Sequence, residues 1–466
     1  MNDLPDISPL DSSSPSDLNR REFLQGGTVA SLMALLGGIP LVAPAAEKPP
    51  EGATSYKTTT PPVNCGVIGL GVHGREILAT LARLPNAPVV AICDYYPAFL
   101  NRSKELAPKA TPYADYKQLL ADKNVKAVVI ATPTHQHKQI VIDALVAGKH
   151  VYCEAPLAHT VEDTKAIAAA AKKAPKLYFQ AGLQERSDAQ RLFVLPFIRS
   201  GGIGTFGDIR AQTSKKQSWR RDSPNPDRLK EINWRLNSKL STGLVGELGI
   251  HSLDVACWFI NERPKAVTGF GSIRQWKDGR DVADNVRAVF EFPSGITLCY
   301  DGSLLSSYDT NFEVYTGADA TIMVRDFKAW MFKEADAPLL GWEVYARKDE
   351  FYRQEGIALV AGASKATATA DADPIAAGFT PLYHGLAAFV TNADMHHAAV
   401  EDFTSSFGKD ADPAALLDYL KDIQKSKKPH ADAQEGLEAT VFALRANEAI
   451  KANRRVEIAK ADYEVA

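Results

Sequence analysis

The chain has 466 residues, enough for two or three domains with large hydrophobic cores. Its net charge of −3 at pH 7 gives no reason to expect nucleic acid or an anionic membrane surface as a partner. The five cysteines have neither C-x-x-C nor metal-ligand spacing, and their odd number does not favour a disulfide framework. We therefore expect a soluble α/β protein in which the cysteines are buried as small apolar side chains.

The N-terminal residues predict an export signal followed by a linker. Asn19-Arg20-Arg21-Glu22-Phe23-Leu24-Gln25 precedes a weakly apolar stretch, and Ala43-Pro44-Ala45 offers small residues for a signal peptidase. The pattern resembles a twin-arginine signal over residues 1–46, with a polar linker over residues 47–62. A membrane anchor is the alternative, but glycines and a proline interrupt the stretch. We expect an exported, periplasmic protein that folds in the cytoplasm and uses the twin-arginine export machinery as a partner.

The segment after the linker predicts a dinucleotide-binding loop. An apolar run from Val63 to Ile68 is typical of a buried parallel strand, and G-x-G-x-x-G and an amphipathic helix follow it. Gly69 permits a tight turn, Gly71 lets the backbone approach a pyrophosphate, and Gly74 lets the helix pack closely on the sheet. The loop residues predicted to bind the cofactor are Gly69, Leu70, Gly71, Val72, His73 and Gly74.

A carboxylate beyond this loop predicts which cofactor binds. The strand from Pro88 to Cys93 ends at Asp94, twenty residues after Gly74. A carboxylate at this position binds both hydroxyls of an adenosine ribose and repels a 2′-phosphate. The sequence therefore predicts NAD in preference to NADP, and Arg102 nearby softens that preference.

The pattern of alternating strands and helices predicts a Rossmann domain over residues 63–183, with an open parallel sheet. Its later strands are predicted at Val125–Ala131, Val151–Cys153 and Leu177–Ala181. A substrate domain with a half-buried, mostly antiparallel sheet is predicted over residues 184–466. Its predicted strands are Gly207–Thr213, Ala266–Ile273, Asn285–Phe292, Ile296–Ser303 and Phe312–Tyr315.

The remaining segments of the second domain predict helices and one long loop. A helix is predicted near His251–Ile260, and a loop rich in Ala, Thr and Asp over Ala361–Gly378. Two more helices, Pro413–Ser426 and Ala433–Ala452, are expected to pack back against the Rossmann domain.

Taken together, these features resemble the glucose–fructose oxidoreductase/inositol dehydrogenase family (Gfo/Idh/MocA). The resemblance implies an N-terminal Rossmann domain and a C-terminal α/β domain, whose open sheet carries the substrate site and an interface of a homo-oligomer. Its landmarks are the glycine loop, Thr132-Pro133 with His137, Gly148-Lys149-His150-Val151 before Glu154-x-Pro156-Leu157-Ala158, Gly202-x-Gly204, Asn233-Trp234-Arg235, and Glu247-x-Gly249-x-His251-x-x-Asp254.

The resemblance also implies a set of site residues. The additional cofactor-binding residues are Thr132, Pro133, His137 and Glu154. The substrate, a sugar, polyol or sugar derivative, is expected to contact Trp234, Arg235 and Asp254. The expected proton-handling groups are His251 and Glu247, since imidazole and carboxylate both serve as acid or base near neutral pH.

Spacing within these segments adds two expectations. A continuous helix would place Glu247, His251 and Asp254 on one face. No metal site is predicted, because three ligands on one short helix lack a fourth partner. His137 follows a strand, where it either touches the nicotinamide or substrate or caps the next helix.

Ala155 departs from the family pattern. It stands where the family's Glu-Lys-Pro motif has a lysine, and alanine can neither carry a proton nor donate a hydrogen bond. The resemblance implies an oxidoreductase with tightly bound NAD. The missing lysine leaves open an NAD-dependent glycoside hydrolase that works by transient oxidation, elimination and hydride return. It also leaves open a catalytically silent nucleotide-binding protein.

Two further features of the sequence have open interpretations. His159 is a speculative substitute for the missing lysine, and a surface role is the alternative. A basic loop either contacts a sugar or lies between domains or subunits. Its members are Lys215, Lys216, Trp219, Arg220, Arg221 and Arg228.

Overall fold

The computed structural model describes residues 60–325, 328–343, 346, 348–351, 354–359, 379–408 and 412–465. The predicted export signal, most of the predicted linker and the predicted loop Ala361–Gly378 lie outside the described residues. Within the described ranges, no helix is both long and apolar enough to cross a membrane.

The first domain, residues 63–183, forms a six-stranded sheet in the order β3-β2-β1-β4-β5-β6, with all strands parallel. Every residue of β1, β4 and β5 is buried, which explains why these strands are apolar in the sequence, apart from His150 at the start of β5. The strand order reverses between β1 and β4, where ligands of such sheets bind. The strands are β1 (Cys65–Ile68), β2 (Val89–Cys93), β3 (Thr111–Tyr113), β4 (Ala127–Ile130), β5 (His150–Cys153) and β6 (Phe179–Ala181), and the helices are α1 (Val72–Leu81), α2 (Pro97–Ser103), α3 (Tyr116–Ala121), α4 (His137–Val146) and α5 (Val161–Lys173).

The second domain forms a ten-stranded sheet in the order β14-β15-β13-β12-β11-β7-β10-β9-β8-β16. The β7–β10 pair is parallel, and the other described pairs of this sheet are antiparallel. The predicted fold class is therefore confirmed. The strands are β7 (Phe206–Ser214), β8 (Ala266–Ser272), β9 (Asn285–Glu291), β10 (Thr297–Ser303), β11 (Asn311–Gly317), β12 (Ala320–Arg325), β13 (Lys328–Lys333), β14 (Lys348–Phe351), β15 (Gln354–Leu359) and β16 (Arg455–Glu457).

Helix α12 joins the two sheets. Its Gly436 packs against Ala181 of β6 and Leu157, and its Thr440 hydroxyl accepts a 3.0 Å hydrogen bond from the Leu157 N–H. It also packs against β8, α5 and other elements of both domains, so one core cluster spans the two domains. The helices of the second domain are α6 (Ala189–Arg199), α7 (Pro226–Ile232), α8 (Gly243–Glu247), α9 (Ile250–Ile260), α10 (Pro381–Phe407), α11 (Pro413–Gln424) and α12 (Ala433–Ala452).

Helix α10 was not predicted from the sequence. Thr380 caps its N-terminus by accepting from the Tyr383 N–H, and Pro381 occupies its first turn. Leu386 and Phe389 are buried in a core cluster formed with α1 and the parallel sheet. The helix thus covers the sheet face opposite α3, α4 and α5, a role that depends on contacts distant in sequence.

The prediction that all five cysteines are buried was wrong for one of them. Cys65, Cys93, Cys153 and Cys257 are buried, but Cys299 is exposed. Leu298 and Tyr300 flank it and point into the core, so strand alternation turns the Cys299 side chain outward.

Candidate active site at the junction of the two sheets

The glycine loop adopts a conformation that only glycine permits at two positions. Gly69 has φ +94°, and a Cβ there would lie 2.7 Å from backbone atoms of Ala131 and Thr132. A Cβ on Gly74 would lie 1.9 Å from the Gly69 carbonyl oxygen. A Cβ on Gly71 would meet no heavy atom of the described residues within 4 Å. The loop is thus packed at its first and third glycines and open at the second, where a pyrophosphate would approach.

Asp94 is held at the end of β2 by two backbone N–H groups. Leu70 of the glycine loop donates to Oδ2 at 2.9 Å, and Tyr96 donates to Oδ1 at 2.8 Å. Burial raises the pKa of Asp94, while these N–H groups and the guanidinium groups of Arg228 and Arg75 oppose the increase. The carboxylate therefore lies beside the loop, as a ribose-binding residue requires.

His73 places a positive charge on the glycine loop. Its Nε2 lies 3.1 Å from Glu154 Oε1, and its Nδ1 lies 3.1 Å from Glu76 Oε2. Although burial lowers the pKa of His73, the charges and hydrogen bonds of the two carboxylates raise it to about 10. The sequence predicted that His73 and Glu154 contact the cofactor but gave no sign that they form an ion pair.

His137 connects the two loops that follow β4 and β5. Its Nε2 lies 2.8 Å from the Thr132 carbonyl oxygen, and its Nδ1 lies 3.1 Å from that of Pro156. The ring is buried, and this burial lowers the pKa of His137 despite the two carbonyl groups. The bond from Ala155 to Pro156 is cis. His137 thus holds the Thr132-Pro133 turn against the Glu154 segment, which is a positioning role.

A cluster of aromatic side chains lies at the carboxyl end of β4. The His135 ring lies 5.7 Å from the Trp234 ring and 6.1 Å from the His159 ring, measured between centroids. His135 Nδ1 is buried and has no hydrogen-bond partner among the described residues. Burial, with smaller contributions from His159 and His137, lowers the pKa of His135 to about 4. The sequence analysis missed His135, although its place in the loop after β4 was the available signal.

Glu247 is anchored from two directions. Its Oε1 accepts hydrogen bonds from the Thr242 N–H at 3.1 Å and the Thr242 hydroxyl at 2.8 Å, and its Oε2 accepts from Arg235 Nε at 3.3 Å. The Arg235 guanidinium also lies 5.0 Å from the Trp234 ring centroid. Glu247 therefore fixes the Trp234-Arg235 turn that was predicted to contact the substrate.

The helix predicted near His251–Ile260 is confirmed, but it does not extend back to Glu247, so Glu247, His251 and Asp254 do not share one helix face. Helix α8 ends at Glu247 and α9 begins at Ile250, with φ −123° at Leu248 between them. His251 lies in the first turn of α9, is half-buried, and its buried Nδ1 has no hydrogen-bond partner among the described residues. Glu247 and His251 thus belong to separate helices whose relative orientation does not follow from their spacing.

Asp254 forms a buried ion pair with Arg186. Its two oxygens accept from Nη2 and Nε of Arg186, each at 2.9 Å, and its side chain is almost fully buried. Arg186 also pairs with Glu435 of α12. The substrate contact predicted for Asp254 stays a prediction, and this bidentate ion pair argues against it.

The basic loop does not act as one surface. Arg228 contacts the segment that follows Asp94, whereas Trp219 lies beside Arg235, with 5.9 Å between the guanidinium carbon and the ring centroid. Residues of the second domain therefore lie along the carboxyl edge of the parallel sheet: Trp234 contacts the loop after β4, and Arg228 contacts the segment after β2. The carboxylates of Glu154 and Glu247, one from each domain, both act electrostatically on His137.

The parallel sheet, the glycine loop and the carboxylate at the end of β2 together define a dinucleotide-binding protein of the Rossmann class. The chain belongs to the Gfo/Idh/MocA oxidoreductase family. Residues 63–182 match the oxidoreductase family with NAD-binding Rossmann fold, and residues 197–322 match the GFO/IDH/MocA C-terminal domain.

Several curated relatives act on sugars or cyclitols. The chain is 29% identical to a levoglucosan dehydrogenase of Pseudarthrobacter phenanthrenivorans, over 50% of this chain and 65% of the relative. It is 30% identical to a myo-inositol 2-dehydrogenase of Thermotoga maritima, over 54% of this chain and 72% of the relative. It is also 29% identical to an alpha-N-acetylgalactosaminidase of Shewanella oneidensis, over 48% of this chain and 50% of the relative.

Solved structures share this fold at low sequence identity. An oxidoreductase domain protein from Kribbella flavida superposes with a TM-score of 0.63 and 18% identity, covering 86% of this chain and 100% of that chain. A levoglucosan dehydrogenase in complex with NADH and levoglucosan gives a TM-score of 0.61 and 19% identity, covering 85% of this chain and 100% of that chain.

Proposed function

We propose that the protein is an NAD-dependent oxidoreductase that acts on a sugar, polyol or sugar derivative and retains its cofactor. The observation that carries this proposal is the contact between Trp234 and His135, 5.7 Å between ring centroids. It brings an aromatic and arginine-bearing turn to the carboxyl end of β4. Aromatic faces stack on sugar rings, and guanidinium groups bind hydroxyls. The similarity to a levoglucosan dehydrogenase and a myo-inositol 2-dehydrogenase supports the same substrate class.

The residues of the glycine loop fit a dinucleotide. The space beside Gly71 and the N-terminal N–H groups of α1 suit a pyrophosphate. Asp94 is suited to the ribose hydroxyls, which favours NAD over NADP. When bound, the nicotinamide supplies hydride transfer to and from a carbinol carbon.

The chain must also accept the proton of the substrate hydroxyl. Ala155 cannot do so, and both oxygens of Glu247 already accept hydrogen bonds from Thr242 or Arg235. We assign the role of proton acceptor to His251, whose imidazole is half-buried at the start of α9. Glu247 then acts mainly by holding Arg235 against the substrate.

We further propose that the protein is exported with its cofactor already bound. The twin-arginine pattern of residues 1–46 supports this, because that pathway carries folded proteins. Free nicotinamide cofactor is scarce outside the cytoplasm, so each hydride taken from a substrate must be returned on the same protein. Oxidation of one sugar followed by reduction of another meets this condition.

A second candidate, an NAD-dependent glycoside hydrolase, also returns its hydride within one cycle. Two observations favour it: Ala155 in place of the family's lysine, and the similarity to the Shewanella oneidensis alpha-N-acetylgalactosaminidase. In that reaction a carbinol would be oxidised, the adjacent C–H, made acidic by the new carbonyl, would lose its proton to His251, and the aglycone would be eliminated. Water then adds and the hydride returns, so no net oxidation occurs.

One experiment separates these functions. The protein is purified, its nucleotide is released by denaturation and identified, and the native protein is incubated with sugars, polyols and aryl glycosides without added NAD. NADH formation that stops after one turnover and resumes with a keto-sugar supports the oxidoreductase. Aglycone release without net NADH supports the glycosidase instead. Bound NAD that responds to none of these compounds would contradict both and indicate a silent binding protein.

A further inference from the structure

Arg228 of α7, in the second domain, is buried against aromatic rings of the parallel-sheet domain. Its guanidinium carbon lies 4.2 Å from the centroid of the Tyr96 ring, 5.0 Å from that of Tyr95 and 5.2 Å from that of Phe99. The residue is only 8% exposed, whereas Arg220 and Arg221, in the segment before α7, are exposed. A guanidinium that is desolvated over several rings forms a strong cation–π contact.

Hydrogen bonds reinforce this contact. Nη1 of Arg228 donates to the Tyr95 hydroxyl and, at 3.3 Å, to Glu231 Oε2. The Tyr95 hydroxyl donates to the same Glu231 oxygen. Arg228 Nε is buried and has no hydrogen-bond partner among the described residues. We refer to Arg228 with Tyr95, Tyr96, Phe99 and Glu231 as the Arg228 contact.

The Arg228 contact adjoins the ribose carboxylate. Tyr95 and Tyr96 directly follow Asp94, and the Tyr96 N–H that binds Asp94 belongs to the residue nearest the guanidinium. The charge of Arg228 also acts on the Asp94 carboxylate. A ligand bound at Asp94 therefore lies beside a contact that ties the second domain to the first.

We infer that the Arg228 contact retains the dinucleotide, because it fixes Tyr95 and Tyr96, which directly follow the ribose carboxylate Asp94, against α7. This inference rests on the proposed function, which assigns a dinucleotide to Asp94. It makes Arg228 a determinant of how long the cofactor stays bound, separate from the groups that perform the reaction.

Release of bound NADH tests this role without any measurement of catalysis. NADH is bound to the full chain, an excess of NAD is added, and the loss of NADH fluorescence gives the dissociation rate. Arg228→Ala should accelerate release by about tenfold or more, which corresponds to about 1.4 kcal/mol. Arg221→Ala is the matched control, because Arg221 is an exposed arginine of the segment just before α7.

Tyr95→Phe provides a second variant that keeps the ring and removes only the hydroxyl. We expect an intermediate acceleration, and the double variant with Arg228→Ala should show less than the product of the two effects. If Arg228→Ala does not fold, the rate for Tyr95→Phe decides. An unchanged release rate in a folded variant overturns the retention role alone. A wild-type protein that binds no dinucleotide overturns the proposed function as well.

Discussion

The backbone N–H of Leu70 donates a 2.9 Å hydrogen bond to Oδ2 of Asp94, which links the glycine loop after β1 to the carboxylate at the end of β2. The two residues are 24 positions apart, yet they form adjacent parts of one cofactor site. The carboxylate therefore orients the loop, and under the proposed function it would also bind the ribose hydroxyls of the dinucleotide.

Asp94→Ala should weaken NAD binding by at least about tenfold, since it removes the ribose acceptor and leaves the Leu70 N–H without its partner. NADP binding should fall less, because the repulsion of a 2′-phosphate is lost together with the acceptor. Titration calorimetry with both nucleotides checks this. Glu105→Gln, an exposed position before β3, is the control. Equal losses for NAD and NADP would count against the assignment of Asp94.

Within the glycine motif, Gly74 should matter for stability, whereas Gly71 should matter for NAD affinity. Gly74→Ala should lower the free energy of unfolding by about 1–3 kcal/mol or more, because its Cβ would overlap the Gly69 carbonyl. Gly71→Ala should fold normally, since no described atom lies within 4 Å of its Cβ, but should bind NAD at least about tenfold more weakly. Urea unfolding and NAD titration on both variants measure these effects. A normal affinity in Gly71→Ala would remove that residue from the pyrophosphate site.

Elements with strong local patterns were predicted well from the sequence. Helix α12 has the predicted bounds, and the strand predicted at Asn285–Phe292 is β9, in which Val286, Ala288 and Phe290 are buried and alternate with less buried residues. The glycine loop and Asp94 were identifiable because their spacing reflects local geometry. Their roles in cofactor binding remain predictions.

Features that depend on distant contacts were not predictable in this way. The pairing of Arg228 with the rings after Asp94 joins segments about 130 residues apart, and no periodicity indicates it. The break between α8 and α9 lies at Leu248, beside Gly249, where a Cβ would lie 2.6 Å from the Tyr300 ring. The spacing of Glu247 and His251 therefore does not by itself fix how the two side chains are oriented relative to each other.

Asp254 should affect stability more than substrate binding. Asp254→Asn leaves the buried Arg186 without its bidentate partner, and breaking a buried pair costs about 3–5 kcal/mol. We expect the loss in urea unfolding, with an unchanged NAD dissociation constant in the folded protein. Arg445→Gln, which breaks a more exposed pair with Asp462, should cost much less. A raised KM in Asp254→Asn at unchanged stability would instead restore the substrate role.

Acid should destabilise the protein through buried neutral histidines. Burial, with nearby His396, His397 and Lys427, lowers the pKa of His150 to about 3, and its Nδ1 accepts a 2.8 Å hydrogen bond from the Tyr178 N–H. The unfolded chain binds a proton near pH 6.5 while the folded chain does not. This group therefore leaves stability unaffected above about pH 6.5 and lowers it progressively as the pH falls toward the folded pKa.

The variant His150→Asn keeps an acceptor for Tyr178 and removes the titrating group. Between about pH 6 and pH 4, the slope of the unfolding free energy should become flatter by up to about 1.4 kcal/mol per pH unit. Urea unfolding across this range measures the slope. His397→Gln, at a neighbouring and more exposed histidine that contributes to the lowered pKa of His150, should change the slope less than His150→Asn does. An identical slope for His150→Asn and wild type would show that His150 does not carry this effect.

Under the proposed function, His251 should transfer the proton and Glu247 should position Arg235. His251→Ala should lower turnover by about a hundredfold or more and remove an ionisation from the pH–rate profile, because no lysine stands at Ala155 to accept the proton. Glu247→Gln releases the charge that holds Arg235, so we expect mainly a raised KM with the pH profile of the wild type preserved. NADH binding, measured by fluorescence, should be unchanged in both variants, which distinguishes loss of chemistry from loss of cofactor. Turnover and pH dependence in His251→Ala equal to those of the wild type would assign the proton to another group, and His135 at the Trp234 contact is then the next residue to replace.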